Sequence, residues 1–257
     1  MTKAIILAGS LNNGQLKECS SEPNEALIKI GSKCMVEYVV DALKNARLVK
    51  GIILVGPKDG LRSIYENDQE VTIVEGGATI IQSLLNSFNV LDETTEDKVL
   101  IVTSDIPLIT GNIIDKFLEK GSKEGADLIY PIVRKSLNEA KYPKVRRTYV
   151  RFKEGIFTGG NIFLVNPKIV RPRINSAEEL VELRKSPFKL LNYIGYTYIL
   201  KYLLRNLTIK EAEERVSQLL KINGKVIEVL DPEIGVDVDK PNDLELVESI
   251  INKNQPA

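Results

Sequence analysis

Residues 99–108, VLIVTSDIPL, decide the fold of this chain. Four consecutive apolar residues, Val99 to Val102, are typical of a strand that is buried on both faces of a parallel sheet. Pro107 has no backbone N–H to donate, so the strand must end before it. Asp105 therefore lies at the carboxyl end of a central strand, where open α/β sheets bind their ligands. We predict that this carboxylate holds a divalent metal.

The composition is that of an ordinary globular protein, with 257 residues, 43% of them hydrophobic and 27% charged. A formal net charge of +0 predicts neither a nucleic-acid partner nor an acidic membrane partner. No apolar run approaches the roughly 20 residues of a membrane span, and the N-terminus lacks the pattern of a signal peptide. Cys19 and Cys34 lack metal-type spacing and indicate reduced thiols, so we expect a cytoplasmic protein.

The chain contains 0 histidines. This excludes Ser-His-Asp and Cys-His nucleophiles, histidine general bases and histidine zinc sites. Any chemistry must therefore use carboxylates, Lys or Arg side chains and a hard metal such as magnesium.

Strands and helices alternate along the first half of the chain, which predicts a doubly wound, mostly parallel sheet. We place strands at 3–7, 51–55, 71–74, 99–102 and 126–130. Helical spacing of apolar residues predicts helices after Ser32, at 80–88 and at 113–118.

The pattern changes after Pro131. Lys153-Glu154-Gly155 predicts a β-hairpin with strands at 145–152 and 156–165. Two capping boxes, Ser176 with Glu179 and Thr208 with Glu211, predict helix starts, and Asn223-Gly224 predicts the end of the second helix. Short strands are expected at 225–229 and 235–238, and a last helix begins at Pro241.

The first strand runs into a turn, Leu7-Ala8-Gly9-Ser10, where glycine lets backbone N–H groups approach a phosphate. A simple tight turn is the alternative. Neither the dinucleotide fingerprint G-x-G-x-x-G nor a Walker A loop is present, which argues against a dehydrogenase. The polar stretch 11–25 that follows is long for a compact domain and favours a binding loop.

Four stretches together resemble the MobA-like nucleotidyltransferase superfamily: 3–9 (KAIILAG), 25–43 (EALIKIGSKCMVEYVVDAL), 102–108 (VTSDIPL) and 235–244 (GVDVDKPNDL). The resemblance implies a Rossmann-like, GT-A-like fold with an added β-hairpin and C-terminal helices. We treat 1–257 as a single domain, with a nucleotide-binding half (1–130) and an acceptor-side half (131–257). The implied reaction transfers NMP from an NTP to a small acceptor and releases pyrophosphate, as in molybdopterin guanylyltransferases or sugar- and polyol-phosphate cytidylyltransferases.

The resemblance also implies site residues. Asp105 and Asp239 are expected to hold Mg²⁺, with Asp237 close by, since two carboxylates, phosphate oxygens and waters complete six ligands. The alternatives are that Asp105 caps a turn and that Asp239 is the N-cap of the last helix. The nucleotide is expected to contact Leu7, Ala8, Gly9, Ser10, Gly14, Gly76, Gly77, Ser83 and Ser104. Thr158-Gly159-Gly160-Asn161 resembles the strand that lines the acceptor side, so Gly160 and Asn161 are expected there.

The first loop departs from the family pattern. Glu25 occupies the position where the family carries a lysine, and Lys17 lies where an arginine is expected. Lys17, Lys29 and Lys33 are alternatives for the missing cation, and we take Lys17 and Lys33 as the catalytic candidates.

The segment 141–173 is basic, with nine Lys or Arg residues against one acid, Glu154. Arg147, Tyr149 and Arg151 share one face of the predicted hairpin strand by the period of two. Arg147 and Arg151 are therefore candidates for holding an anionic, phosphorylated acceptor. A solvated basic face is an equal alternative, and a nucleic-acid surface is a weaker one.

Three hypotheses follow from the sequence. The first is a magnesium-dependent nucleotidyltransferase whose partners are an NTP and a small acceptor. The second is a non-catalytic nucleotide-binding or regulatory module on the same fold, and the third is a GT-A glycosyltransferase. The oligomeric state stays open, with a homodimer among the options.

Overall fold

The computed structural model describes residues 1–91, 98–174, 178 and 193–254. The capping box expected at Ser176 and Glu179 lies outside this part of the chain. The strands are β1 Thr2–Leu7, β2 Lys29–Ile30, β3 Lys33–Cys34, β4 Val49–Gly56, β5 Val71–Glu75, β6 Val99–Thr103, β7 Leu128–Arg134, β8 Val150–Phe152, β9 Gly155–Gly159, β10 Ile162–Val165 and β11 Gly224–Val229.

The helices of the described residues are α1 Met35–Lys44, α2 Lys58–Tyr65, α3 Ile80–Asn89, α4 Gly111–Gly121, α5 Lys135–Lys141, α6 Pro167–Val170, α7 Tyr196–Leu203, α8 Ile209–Leu220 and α9 Pro241–Asn254. Short 3-10 helices lie at Gln15–Glu18, Glu25–Leu27, Arg171–Arg173 and Pro232–Gly235. Within these ranges, no helix combines the length and the apolar character needed to cross a bilayer.

Nine strands form one sheet in the order β5-β4-β1-β6-β10-β7-β9-β8, with β11 paired to β7. Strands β5, β4, β1 and β6 are mutually parallel, and β11 is parallel to β7. Strand β10 is antiparallel to both β6 and β7. This confirms the doubly wound, mostly parallel sheet expected from the sequence.

The two faces of the sheet pack against different helices, because successive residues of a strand point to opposite faces. Ile6 of β1 and Leu100 of β6 belong to a core cluster with apolar residues of α1 and α4. Their chain neighbours Ile5 and Ile101 cluster instead with Phe88 of α3. Strand β6, buried on both faces, therefore places its carboxyl end at the centre of the sheet edge.

Helix starts follow their capping residues. The hydroxyl oxygen of Thr79 accepts from the backbone N–H of Gln82 at the start of α3, and that of Thr110 does the same at α4. Thr208 and Glu211 form the expected capping box of α8.

Several expected boundaries in the second half are wrong. The left-handed residue that ends α8 is Lys221 (φ 54°), and Gly224 instead begins β11. The first hairpin strand begins at Val150 instead of residue 145, and residues 156–165 form two strands, β9 and β10. Residues 235–238 form no strand, because residues 232–235 turn as a 3-10 helix. Helices α2, α5, α6 and α7 are additional to those expected.

Candidate active site

Three aspartates from distant parts of the chain meet at the carboxyl end of β6. Asp105, Asp237 and Asp239 each offer one carboxylate oxygen, and these three oxygens lie within 4.8 Å of one another. The backbone N–H of Val238 donates to the carbonyl oxygen of Asp105 (2.9 Å), which ties the second loop to the first. The expected meeting of Asp105 and Asp239 is therefore present in the fold.

Asp105 is a partly buried carboxylate with one local donor. The hydroxyl of Thr103 donates to its Oδ1. Loss of solvation raises the pKa of Asp105 to about 6, and the nearby carboxylates of Asp239 and Glu25 act in the same direction. Burial makes the ionised form of this carboxyl group unfavourable, and a cation beside it would stabilise that form.

Asp237 is engaged by the protein itself. Nη1 of Arg147 forms an ion pair with its Oδ1, and Nδ2 of Asn161 donates to its Oδ2 at 3.4 Å. The Arg147 side chain is 11% exposed, and its buried Nε has no hydrogen-bond partner among the described residues. Burial lowers the pKa of the Arg147 guanidinium, whereas the carboxylates of Asp239 and Asp105 act to raise it.

Asp239 is the exposed member of the cluster. Its backbone N–H donates to the carboxylate of Asp243 at 3.4 Å, but its own carboxylate accepts no hydrogen bond from the described residues. The first turn of α9 is satisfied elsewhere, since the backbone N–H of Asp243 donates to the carbonyl oxygen of Lys240. Asp239 is therefore not the N-cap of the last helix, and both of its carboxylate oxygens remain available.

A cavity of about 260 Å³ adjoins Asp105. It brings together seven residues expected at the nucleotide or metal: Leu7, Gly9, Ser10, Gly77, Ser83, Ser104 and Asp105. The hydroxyl oxygen of Ser83 accepts from the backbone N–H of Gly77 at 2.9 Å, which leaves the Ser83 hydroxyl hydrogen able to donate.

Three residues expected at the nucleotide do not line this cavity. Ala8 is fully buried in the core beneath the turn. Gly76 packs against the backbone of Gly56, and Gly14 precedes the 3-10 helix 15–18 on the surface. The charged residues that line the cavity are Glu25 and Asp105, so the described lining carries negative charge only.

The two candidate lysines lie away from the cavity lining. Lys17 is exposed on the short helix 15–18. Lys33 forms an ion pair with Asp41 on α1, with Nζ and Oδ2 2.6 Å apart. Arg151 is exposed, and because β8 begins at Val150, it does not share a strand face with Arg147 as expected.

Thr103, whose hydroxyl donates to Asp105, was not predicted as a site residue. Its spacing could have indicated this role, because residues two apart at the end of a strand lie on the same face. The burial of Arg147 beside Asp237 was not predicted either, because it depends on the packing of two loops.

The donor set fits a hard divalent cation. Three carboxylates and one guanidinium carry a formal charge of two negative, which one divalent ion neutralises. Asp105 and Asp239 supply the oxygen atoms that such ions prefer. A larger cavity of about 420 Å³, lined mainly by apolar residues of β7, β9 and α8, contains none of these aspartates.

This chain is similar to known proteins in sequence and in fold. A family model described as MobA-like NTP transferase domain matches residues 4–187. A 2-C-methyl-D-erythritol 4-phosphate cytidylyltransferase of Haemophilus influenzae is 32% identical over 114 residues, which are 44% of this chain and 50% of that protein. The chain thus spans about half the length of the curated relatives that it matches.

Several solved structures cover nearly the whole chain, two transferases among them. A hypothetical transferase from Thermus thermophilus has a TM-score of 0.81 and 32% identity, covering 95% of this chain and 99% of that one. The 2-C-methyl-D-erythritol 4-phosphate cytidylyltransferase of Francisella tularensis has a TM-score of 0.62 and 14% identity, covering 97% and 99%. The second likeness concerns the fold alone.

Proposed function

The chain belongs to the MobA-like NTP transferase family, and from that membership we propose that it is a magnesium-dependent nucleotidyltransferase. An oxygen of a small, phosphorylated acceptor attacks the α-phosphorus of an NTP. The new bond joins that oxygen to the α-phosphorus, and the bond from the α-phosphorus to the oxygen bridging the β-phosphate breaks. Pyrophosphate leaves with the electron pair of the broken bond.

The observation that supports this proposal most is the meeting of Asp105 and Asp239 at the mouth of the cavity. Asp105 belongs to both features, so a cation held there would lie between the nucleotide and the second loop. When bound, Mg²⁺ would neutralise charge on the phosphates, which nucleotidyl transfer needs in a site lined by negative groups.

The cavity suits the nucleoside and its α-phosphate. Gly9 and Ser10 follow the carboxyl end of β1, and Gly77 and Ser83 face them from the start of α3. Holding the α-phosphate in line with the incoming oxygen is the main task of such a site. CTP is the first NTP to test, because curated relatives are cytidylyltransferases.

The acceptor approaches from the side of Asn161 and Arg147. Both residues contact Asp237 and neither lines the cavity. Arginine suits a phosphorylated acceptor because its N–H groups pair with phosphate oxygens. The absence of a nucleic-acid partner, a cytoplasmic location and a homodimer stay predictions.

Pyrophosphate release tests the proposal. The protein is incubated with Mg²⁺, each of the four NTPs and a panel of sugar and polyol phosphates that includes 2-C-methyl-D-erythritol 4-phosphate. We expect release with one NTP and one acceptor, and its loss in Asp105→Ala. Undiminished release by that variant would refute the role of Asp105, and hydrolysis of a nucleotide-sugar instead would favour the glycosyltransferase hypothesis.

Glu25 favours a second candidate, a non-catalytic nucleotide-binding module. Its carboxylate lines the cavity where the family carries a lysine, and it opposes the phosphates. Calorimetry that detects NTP binding, without turnover on any acceptor, would support this candidate. A large gain of turnover in Glu25→Lys would indicate a site that has lost its catalytic cation.

A further inference from the structure

The pair formed by Arg147 and Asp237 is a feature that the general reaction does not require. We propose that Asp237 binds Arg147 and not the metal, and that the pair forms a receptor for the anionic group of the acceptor. This inference rests on the proposed function, because it assigns parts within the same site.

The two oxygens of Asp237 already have partners. One pairs with Nη1 of Arg147 and the other accepts from Nδ2 of Asn161. By contrast, Thr103 is the only side-chain donor to Asp105 among the described residues, and the carboxylate of Asp239 accepts from no donor in that part of the chain. A divalent ion therefore finds its ligands on Asp105 and Asp239 without breaking an existing pair.

The chain on either side holds Arg147 in this position. The hydroxyl of Tyr142 donates to Oε1 of Glu233 at 2.7 Å, and Tyr142, Val145 and Val236 form a small buried cluster. A Cβ atom added to Gly235 would lie 3.0 Å from the carbonyl oxygen of Gly159 and 3.7 Å from Nη2 of Arg147. Glycine at this position thus lets the turn 232–235 approach the carbonyl oxygen of Gly159 closely, while the guanidinium lies at ordinary van der Waals distance from the turn.

The position of the pair assigns it to the acceptor. Asp105 lines the nucleotide cavity, whereas Arg147, Asp237 and Asn161 do not. Asp105 therefore borders the cavity on one side and belongs to the aspartate cluster that Arg147 contacts. An anionic group held by Arg147 would lie outside the cavity that we assign to the nucleotide, as a separate acceptor must.

The guanidinium retains donors for such a group. Its Nε is buried and has no partner in the described chain. Leaving a buried donor unsatisfied is unfavourable, and a phosphate oxygen or a bridging water relieves that cost. Asp237 holds the guanidinium in place through their ion pair, so it is a positioning residue for the acceptor.

Metal binding gives the first test. Mn²⁺ is titrated into the metal-free protein and the free ion is measured by electron paramagnetic resonance. We expect Asp105→Asn and Asp239→Asn to weaken binding by more than about 100-fold, and Asp237→Asn by about tenfold, the lower end of what loss of an outer partner costs. Equal losses in Asp237→Asn and Asp239→Asn would overturn the proposal.

Phosphate binding gives the second test. Inorganic phosphate is titrated by calorimetry in the presence of Mg²⁺ and a non-hydrolysable CTP analogue. We expect Arg147→Gln and Asp237→Asn each to weaken phosphate binding about tenfold or more, and the double variant no further, because the residues act as one unit. The affinity for the CTP analogue is expected to stay within about threefold.

Arg146→Gln is the matched control, since Arg146 is an exposed neighbour of Arg147. We expect it to bind phosphate within about twofold of the unaltered chain. If Arg147→Gln fails to fold, Arg147→Lys is the alternative variant, because it keeps a positive charge beside Asp237. We expect it to lose the part of the phosphate affinity that depends on two parallel N–H groups of arginine. Unchanged phosphate binding in a folded Arg147 variant would overturn the proposal.

Neither titration requires turnover. A protein that binds Mn²⁺ and phosphate as described, yet releases no pyrophosphate with any substrate, would refute the proposed function and leave this inference standing. A protein that releases pyrophosphate but loses Mn²⁺ in Asp237→Asn would refute this inference alone.

Discussion

Asp105→Asn is expected to stabilise the metal-free protein at high pH. Burial raises the pKa of Asp105 from an ordinary 3.8 to about 6. The folded state therefore holds a proton that the unfolded state releases between these values, and the free energy of unfolding falls as the pH rises through this window. Two pH units at about 1.4 kcal/mol each correspond to about 3 kcal/mol of destabilisation above pH 6.

The substitution removes the ionisation and keeps the shape, because the amide oxygen still accepts from the hydroxyl of Thr103. Unfolding by urea in the presence of EDTA measures the effect. With a slope near 3 kcal/mol per molar, the midpoint should rise by about 1 M at pH 8 and converge with that of the unaltered chain below about pH 4. Asp59→Asn, on the exposed face of α2, is the control and should shift stability by less than about 0.5 kcal/mol.

A midpoint that is unchanged or lower at pH 8 would refute the reasoning. A stabilisation of equal size at pH 4 and pH 8 would refute it too, because an effect of ionisation must follow the pH.

Three further substitutions test the surroundings of the site by urea unfolding. Tyr142→Phe removes the hydroxyl that donates to the buried carboxylate of Glu233, and should cost about 1–3 kcal/mol. Asp115→Asn should lower the free energy of unfolding by about 2 kcal/mol at pH 7, because hydrogen bonds from two backbone N–H groups and an arginine outweigh burial and lower the pKa of this carboxyl. This loss of stability should shrink as the pH falls below about 4, and a loss that does not change with pH would contradict the stated cause. Gly160→Ala should cost about 1–3 kcal/mol, since its Cβ would lie 2.3 Å from a side-chain carbon of Ile234, and an unchanged midpoint would show that the loop adapts freely.

The fold was predictable where a single pattern dominates a segment. The buried run 99–102 and the helical spacing after Ser32 correspond to β6 and α1. Helices α2 and α5 escaped because their sequences are mainly polar: α2 buries only Leu61 and Tyr65, and α5 buries only Asn138. Two contacts to the core are too few to create a periodic signal.

Residues 235–238 illustrate a pattern that is real but was misinterpreted. Val236 and Val238 are fully buried and the aspartates alternate with them, as in a strand. The segment pairs with no strand of the described residues, and the backbone N–H of Val238 donates to the carbonyl oxygen of Asp105. The alternating burial of these residues therefore belongs to a loop that crosses the edge of the sheet. Sequence periodicity alone does not distinguish such a loop from a strand.

The site residues that directly follow parallel strands were predictable, because the ends of these strands determine their positions. Asp105, Gly9 and Ser10 follow parallel strands β6 and β1, whose carboxyl ends must meet at one edge. The burial of Arg147 was not predictable, because it depends on a loop of the second half packing against the turn 232–235. The pairing of this arginine with Asp237 follows from that packing and from no local pattern.

The proposed metal site is tested most directly by the position of a metal ion in crystals soaked with MnCl₂ and a non-hydrolysable CTP analogue. Anomalous scattering from Mn²⁺ locates the ion without reference to the activity. We predict one peak at about 2 Å from an oxygen of Asp105 and an oxygen of Asp239, with Asp237 still paired to Arg147. A peak that contacts only one of these two aspartates, or no peak at the end of β6, would contradict this prediction.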